Sequence, residues 1–234
     1  DVKFSDWISL LAGLRLSKHS LISDPIVNPR LSLLFNLTDA VSWRTTFSTG
    51  FRAPQVFDED LHITQVGGEG MIIENAPDLK EESSYSLSTG LDFGRTFAQN
   101  NIQMSLEGFY TLLTDTFILT QREFDPRENA LVFERVNGSN SKVYGVSAEI
   151  GYQFSSFLNV MIGGTWQRSR LEEPEPDFGS KDMFRTPGTH GYLTINYANP
   201  RLVDIDFSLE YTGRMKSPHY AGYIREDRLA TTDP

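Results

Sequence analysis

The sequence predicts an all-β chain whose long antiparallel strands build a transmembrane β-barrel. Three observations carry that expectation. Apolar and polar residues alternate with a period of two through most of the 234 residues, the mark of strands with one apolar face. Short and long connections follow one another in strict order. No stretch reaches the ~18 apolar residues that a membrane-spanning helix requires: the longest uncharged run, 151–167, contains Gln153, Ser155, Ser156 and Asn159.

The predicted strands follow in order. Ile8, Leu10, Ala12, Leu14 and Leu16 share one face, with Ser9, Gly13, Arg15 and Ser17 opposite. Leu31, Leu33, Phe35 and Leu37 oppose Ser32 and Asn36, and Val41, Trp43, Thr45 and Phe47 oppose Ser42, Arg44, Thr46 and Ser48. Tyr85, Leu87, Thr89, Leu91 and Phe93 alternate with Ser84, Ser86, Ser88, Gly90 and Asp92; Ile102, Met104, Leu106 and Tyr110 alternate with Gln103, Ser105 and Glu107. The apolar stripes continue in Tyr144, Val146, Ala148, Ile150 and Tyr152, then in Leu158, Val160, Ile162 and Trp166. Leu193, Ile195 and Tyr197 come next, and Val203, Ile205, Phe207, Leu209 and Tyr211 complete about nine long strands.

The short links are 38–40, 94–100, 155–157 and 198–200; the long ones are 18–29, 52–80, 120–130, 172–187 and the segment from 214 onward. A soluble sandwich has no reason to gather every tight turn at one end. A membrane barrel does, with short periplasmic turns and long extracellular loops. The segments 101–119 and 131–154 exceed the roughly 9–11 residues that cross a bilayer at a tilt, so they are expected to project outward as a hairpin. Phe93, Phe97, Phe154, Phe157 and Tyr197 lie near the short turns, where an interfacial girdle would sit.

Composition narrows the functional classes. A formal charge of -10 with scattered Lys and Arg disfavours nucleic-acid binding. With no Cys, thiolate metal sites, disulfides and Cys nucleophiles are excluded. His19, His62, His190 and His219 lack metal-ligand spacing, and Gly67-Gly68-Glu69-Gly70 lacks the Lys-Ser/Thr of a phosphate loop. No paired acid and base suggests an enzyme. The acidic runs 58–60 and 172–177 have oxygen ligands of the type calcium uses, and describe extended solvated loops as well. No resident metal or cofactor is expected. Arg15, Arg44, Glu107, Glu149, Asp204, Asp206 and Glu210 fall opposite the apolar stripe; in a barrel they face a wet or plugged lumen.

Gly50-Phe51-Arg52-Ala53-Pro54, Ala76-Pro77-Asp78-Leu79-Lys80-Glu81-Glu82-Ser83, Gly108-Phe109-Tyr110 with Asp115, Val136-Asn137 followed by 143–149, and Arg185-Thr186-Pro187-Gly188-Thr189-His190 occur in an order that resembles the barrel of TonB-dependent outer-membrane receptors. Tyr211-Thr212-Gly213-Arg214-Met215 with Pro218-His219-Tyr220 is similar to receptors of the Bacteroides group. The resemblance implies a barrel of about 22 strands around an N-terminal plug. Residues 1–234 would supply approximately the eleventh to nineteenth strands, a partial barrel forming a curved open sheet, with the plug, the first barrel half and the last strands outside it. Gly50, Phe51, Arg52, Ala53 and Pro54 would mark the outer end of a strand, Pro54 ending the ladder.

That resemblance further implies a bacterial outer-membrane location, lipid around the sheet, coupling to TonB through the missing plug, and active uptake of a scarce ligand such as a ferric siderophore. Arg122, Arg127, His219, Tyr220 and Tyr223 in the outer loops are the candidate ligand contacts, the arginines because a guanidinium pairs with anionic chelates. Cobalamin or a glycan is the alternative cargo. A passive porin and a soluble β-sandwich binding module are the alternative classes, the latter burying the Ile8/Leu10/Leu14 and Val203/Ile205/Phe207 faces against a second sheet.

Overall fold

The computed structural model describes residues 2–22, 24–54, 70–98, 100–125, 130–174 and 178–217. Its strands are β1 (Val2–Ser5), β2 (Ile8–Ser17), β3 (Ile26–Asn36), β4 (Val41–Arg52), β5 (Gly70–Asn75), β6 (Glu82–Phe97), β7 (Asn100–Thr114), β8 (Phe117–Asp125), β9 (Ala130–Asn137), β10 (Ser141–Ser155), β11 (Leu158–Leu171), β12 (Thr189–Ala198) and β13 (Asp204–Thr212). Ten of them form one antiparallel sheet in the order β1-β2-β3-β4-β6-β7-β10-β11-β12-β13. The sheet is open, with β1 and β13 at its two edges. β5, β9 and β8 form a second, three-stranded sheet, in which β5 and β9 run parallel.

Register carries the apolar stripe from strand to strand without a break. Leu10 pairs with Leu33, Leu33 with Thr45, Thr45 with Thr89, Thr89 with Gly108 and Gly108 with Val146. Val146 then pairs with Trp166, and lower in the wall Ile150 pairs with Ile162, Ile162 with Leu193 and Leu193 with Leu209. A slip of one residue anywhere would turn half of that face over, so the pattern specifies the pairing.

This face is uncovered. Leu14 is 66% exposed, Ile205 54% and Phe207 49%. Among the described residues the buried apolar side chains are Ile22, Ala53 and Pro54, and no large side chain is fully buried. The soluble sandwich needs these faces packed against another sheet, whereas among the described residues they are left exposed. The sheet's apolar solvent is the bilayer.

Along β10 the outward residues run from Tyr144 to Phe154, roughly 33 Å of extended chain. Tilted by about 40°, that length spans the ~25 Å apolar band of an outer-membrane barrel. Rings gather at both limits. Phe35 stacks on Trp43 at 5.0 Å and Tyr152 meets Phe154 at 4.5 Å near the short turns; Tyr144 lies 6.3 Å from Tyr110 and 6.4 Å from Trp166 towards the long loops.

Every short turn lies at one end, as the alternation predicts, and polar side chains close three of them. Thr38 Oγ1 accepts the Val41 N–H at 3.0 Å, Ser155 Oγ accepts that of Phe157 at 3.2 Å, and Asn199 Oδ1 accepts that of Arg201 at 3.0 Å. Beside the β1–β2 turn, a hydrogen bond from Lys3 and its positive charge hold the Asp6 carboxyl below the ordinary aspartate range.

Several expectations need correction. The nine long strands expected are β2, β3, β4, β6, β7, β10, β11, β12 and β13, and the sheet adds a short tenth, β1, whose four residues are too few for periodicity to register. The link expected at 94–100 is only 98–99: Gly94 pairs with Gln103 inside the ladder, and Ala98 makes the turn with φ 49°. β3 starts at Ile26 and includes Pro29, and its ladder to β4 begins only at Arg30, just after this residue without an N–H. Val203 lies in the β12–β13 turn, not in a strand. The outward hairpin exists, but as separate strands: Asp115, with φ 55°, breaks β7 from β8, a backbone region that Asp tolerates better than most residues.

Candidate functional site

The long-loop end of β4, β6, β7 and β10 is where the recognisable sequence pieces meet. Arg52 ends β4 directly opposite Glu82, which opens β6. The Arg52 guanidinium lies 3.3 Å from Glu82 Oε2 and 5.6 Å from the Phe117 ring. Glu82 Oε1 accepts the backbone N–H of Phe117, the first residue of β8. One carboxylate therefore ties the start of the outer hairpin to the rim. Gly50 is paired with Ser84, and a Cβ there would come within 2.8 Å of Ser84 Oγ, so a side chain at this position would displace the Ser84 hydroxyl. Ala53 and Pro54 are buried as the chain leaves the wall.

Asn137 ties three segments. Its Nδ2 donates to Lys80 O at 3.0 Å and Asp115 O at 2.9 Å, and its Oδ1 accepts the Lys80 N–H at 2.8 Å. The Gly138 N–H donates to Thr116 O at 2.6 Å, with Thr116 Oγ1 bonded to Ser139 O. Two residues earlier on β9, Arg135 is only 4% exposed and donates from Nη1 to Asn75 Oδ1 at 3.2 Å. The parallel β5–β9 pair is thereby anchored by side chains as well as by its ladder.

The face opposite the apolar stripe is polar and partly self-paired. Ser32–Thr46, Ser86–Thr111 and Ser147–Thr165 are cross-strand hydroxyl pairs at 2.8, 2.9 and 2.9 Å. Tyr192 on β12 donates to the Glu149 carboxylate on β10, reaching across β11 at Gly163. A Cβ at Gly163 would lie 2.5 Å from the Tyr192 ring. Charge divides along the sheet: Arg15, Arg30 and Arg44 occupy this face on β2–β4, while Asp92, Glu107, Glu149, Asp206 and Glu210 occupy it from β6 to β13.

Of the candidate ligand contacts, only Arg122 lies among the described residues. It forms a forked pair with Glu134 on β9, Nη2 to Oε1 at 2.7 Å and Nε to Oε2 at 3.1 Å. Its charge is already matched within the hairpin. Arg127, His219, Tyr220 and Tyr223 lie outside the described residues, as do His62 and the acidic run 58–60. Glu172, from the other acidic run, accepts the Asn140 amide at 2.8 Å. Among the described residues no group of three or more His, Asp or Glu could hold a metal ion.

Glu82, Asn137, Arg135 and Asn75 are the residues that periodicity could not single out as a site. Asn137-Gly138-Ser139 also matches the glycosylation pattern, a reading on which no weight rests. The useful signal was the repeated occurrence of motif residues at one end of successive strands.

A family model described as TonB dependent receptor-like, beta-barrel matches residues 1–232. The iron-regulated outer membrane virulence protein of Vibrio cholerae is 23% identical over 209 residues, which is 87% of this chain and 31% of that protein. The siderophore receptor PirA from Acinetobacter baumannii superposes with a TM-score of 0.67 at 17% identity, over 94% of this chain and 33% of the receptor. PirA from Pseudomonas aeruginosa gives 0.68 at 15% identity, over 88% and 37%. The chain thus spans about a third of the length of these relatives. None of the three comes from the Bacteroides group, so that part of the resemblance has no support. By the match across residues 1–232, the chain belongs to the TonB-dependent receptor β-barrel family, outer-membrane transport proteins rather than enzymes.

Proposed function

We propose that the chain is part of the barrel wall of a receptor that takes up a ferric siderophore through TonB. The observation that carries this reading is the family match over residues 1–232, joined to an iron-regulated relative and siderophore receptors of the same fold. In this account the whole protein adds a plug and the remaining strands. Energy delivered through the plug by TonB opens a path along the polar face, and the outer loops capture the cargo.

The geometry supports a fixed rim with loops hung from it. Arg52, Glu82 and Asn137 fasten the segments that enter and leave the long loops, so that loop contacts meet cargo at a set position. A glycan cargo would call for aromatic platforms in loops or lumen. Trp43 and Trp166 lie on the apolar face and Trp7 in a short turn, so no Trp offers a glycan such a platform.

Growth of a strain lacking the receptor, supplied with single ferric siderophores as the iron source or with cobalamin, tests the proposal. Loss of growth on a ferric siderophore, restored by the intact gene, is expected. Normal growth on every chelate combined with loss of cobalamin or glycan use would overturn it.

A further inference from the structure

We infer that Asn137-Gly138 is a site of hydrolytic deamidation that the closed rim protects, so that the modification acts as a one-way release of the outer hairpin formed by β8 and β9. It is the one place in the 234 residues where asparagine precedes glycine. Asparagine is a thermolabile side chain, and a following glycine leaves the attacking nitrogen unhindered and its backbone free to turn. In the reaction the Gly138 nitrogen loses its proton and attacks Asn137 Cγ. The new C–N bond closes a cyclic imide, and the Cγ–Nδ2 bond breaks to release ammonia. Water then opens the ring, at Cγ to leave aspartate or at the Asn137 backbone carbonyl carbon to leave isoaspartate.

The fold holds both reacting groups. The Gly138 N–H donates to Thr116 O at 2.6 Å. Asn137 is the last residue of β9, paired with Phe117, and its carboxamide is fixed by two bonds with Lys80 and one to Asp115 O. Ring closure requires the nitrogen to leave Thr116 and the carboxamide to leave its partners, which is a local opening of the rim. The labile pair is built into the joint: Asn137 makes the three-way tie, and a Cβ at Gly138 would lie 2.7 Å from Ile118 Cγ2 on β8, so a side chain there would displace Ile118. Hydrolysis undoes the tie. A carboxylate has no N–H to donate, so the bonds to Lys80 O and Asp115 O are lost and oxygen faces oxygen. The isoaspartyl form also lengthens the main chain by one carbon just before the Gly138 bond to Thr116. With the ammonia gone, the change does not reverse.

The test uses the intact receptor in detergent, incubated in mildly alkaline water enriched in heavy oxygen, with the peptide that contains Asn137 followed by mass spectrometry. Label should enter residue 137 at least about tenfold more slowly in the folded receptor than in the same receptor unfolded in urea. Glu82→Ala, which frees the start of β8, should raise the folded rate by roughly fivefold. Equal rates in folded and unfolded protein would overturn the protection, and absence of label in the unfolded receptor would overturn the site. An unchanged rate in Glu82→Ala would overturn the rim as the gate. Asn137→Asp reproduces the hydrolysed side chain and should open the Lys80 amide to hydrogen exchange as much as Asn137→Ala does; full protection would overturn the release. Where either variant does not assemble, as judged by its heat-modified mobility, the parent receptor gives both readings. Label entry should rise in sub-denaturing urea, and the deamidated fraction, separated by its added charge, should show the faster Lys80 exchange; absence of either change would count against the inference.

Discussion

Asn137 and Lys80 make a two-way pair, the carboxamide donating to the Lys80 carbonyl at 3.0 Å and accepting its N–H at 2.8 Å. The same amide reaches the Asp115 carbonyl at 2.9 Å, so one side chain fastens the chain before β6, the break after β7 and the end of β9. Asn137→Ala should cost about 1–3 kcal/mol locally, since it strands one N–H and two carbonyls. Hydrogen exchange of the Lys80 amide in the intact receptor reads this directly. Faster exchange is expected, and unchanged protection would mean that Asn137 does not hold the segment.

Glu82 is expected to matter more as an acceptor than as a charge. Its partner Arg52 is 42% exposed, and exposed ion pairs contribute at most about 1 kcal/mol. The bond to the Phe117 N–H is part-buried. Glu82→Gln keeps an acceptor there and should cost under about 1 kcal/mol, whereas Glu82→Ala should cost about 2 kcal/mol and speed proteolysis of the β8–β9 hairpin. Equal effects of the two substitutions would contradict this ranking.

Gly163 leaves the space through which Tyr192 reaches Glu149. Gly163→Ala should destabilise the barrel by roughly 1–3 kcal/mol through overpacking. Adding Tyr192→Ala should make the Gly163 substitution nearly neutral. Denaturant unfolding of the four proteins of the double-mutant cycle gives the coupling, and strict additivity would refute the contact.

The two faces should respond differently to an added charge. Ile150→Arg puts a guanidinium at mid-depth on the apolar face and should destabilise the folded barrel in lipid vesicles by about 2–4 kcal/mol. Gln153→Arg, on the polar face, should stay within about 0.5 kcal/mol of the parent protein. Denaturant titration in the same vesicles compares them.

Much of the wall was legible in the residues because its information is local. Alternation at Tyr144 to Tyr152 or Ile205 to Tyr211 identifies a strand and its apolar face at once, and loop lengths assign the ends. Val2–Ser5 carries no such signal because four residues do not establish a period, and Gly94 mimics a turn because glycine is common in turns and rare inside ladders. The rim was legible only as motif resemblance. Asn137 and Lys80 are brought together by the fold across 57 residues, and the parallel pairing of β5 with β9 joins segments 60 residues apart; no local pattern encodes either. Arg122 shows only its charge in the sequence, and its pairing with Glu134 depends on the β8–β9 register.

The central claim is that one face of this sheet meets lipid and the other an aqueous lumen. The chain contains no cysteine, so single cysteines at successive positions from Tyr144 to Gln153, in the intact receptor with any other cysteines removed, accept spin labels one at a time. Accessibility to oxygen, which partitions into lipid, should peak at 144, 146, 148, 150 and 152, and accessibility to a water-soluble nickel chelate at the positions between them. An absent or inverted alternation would contradict the account.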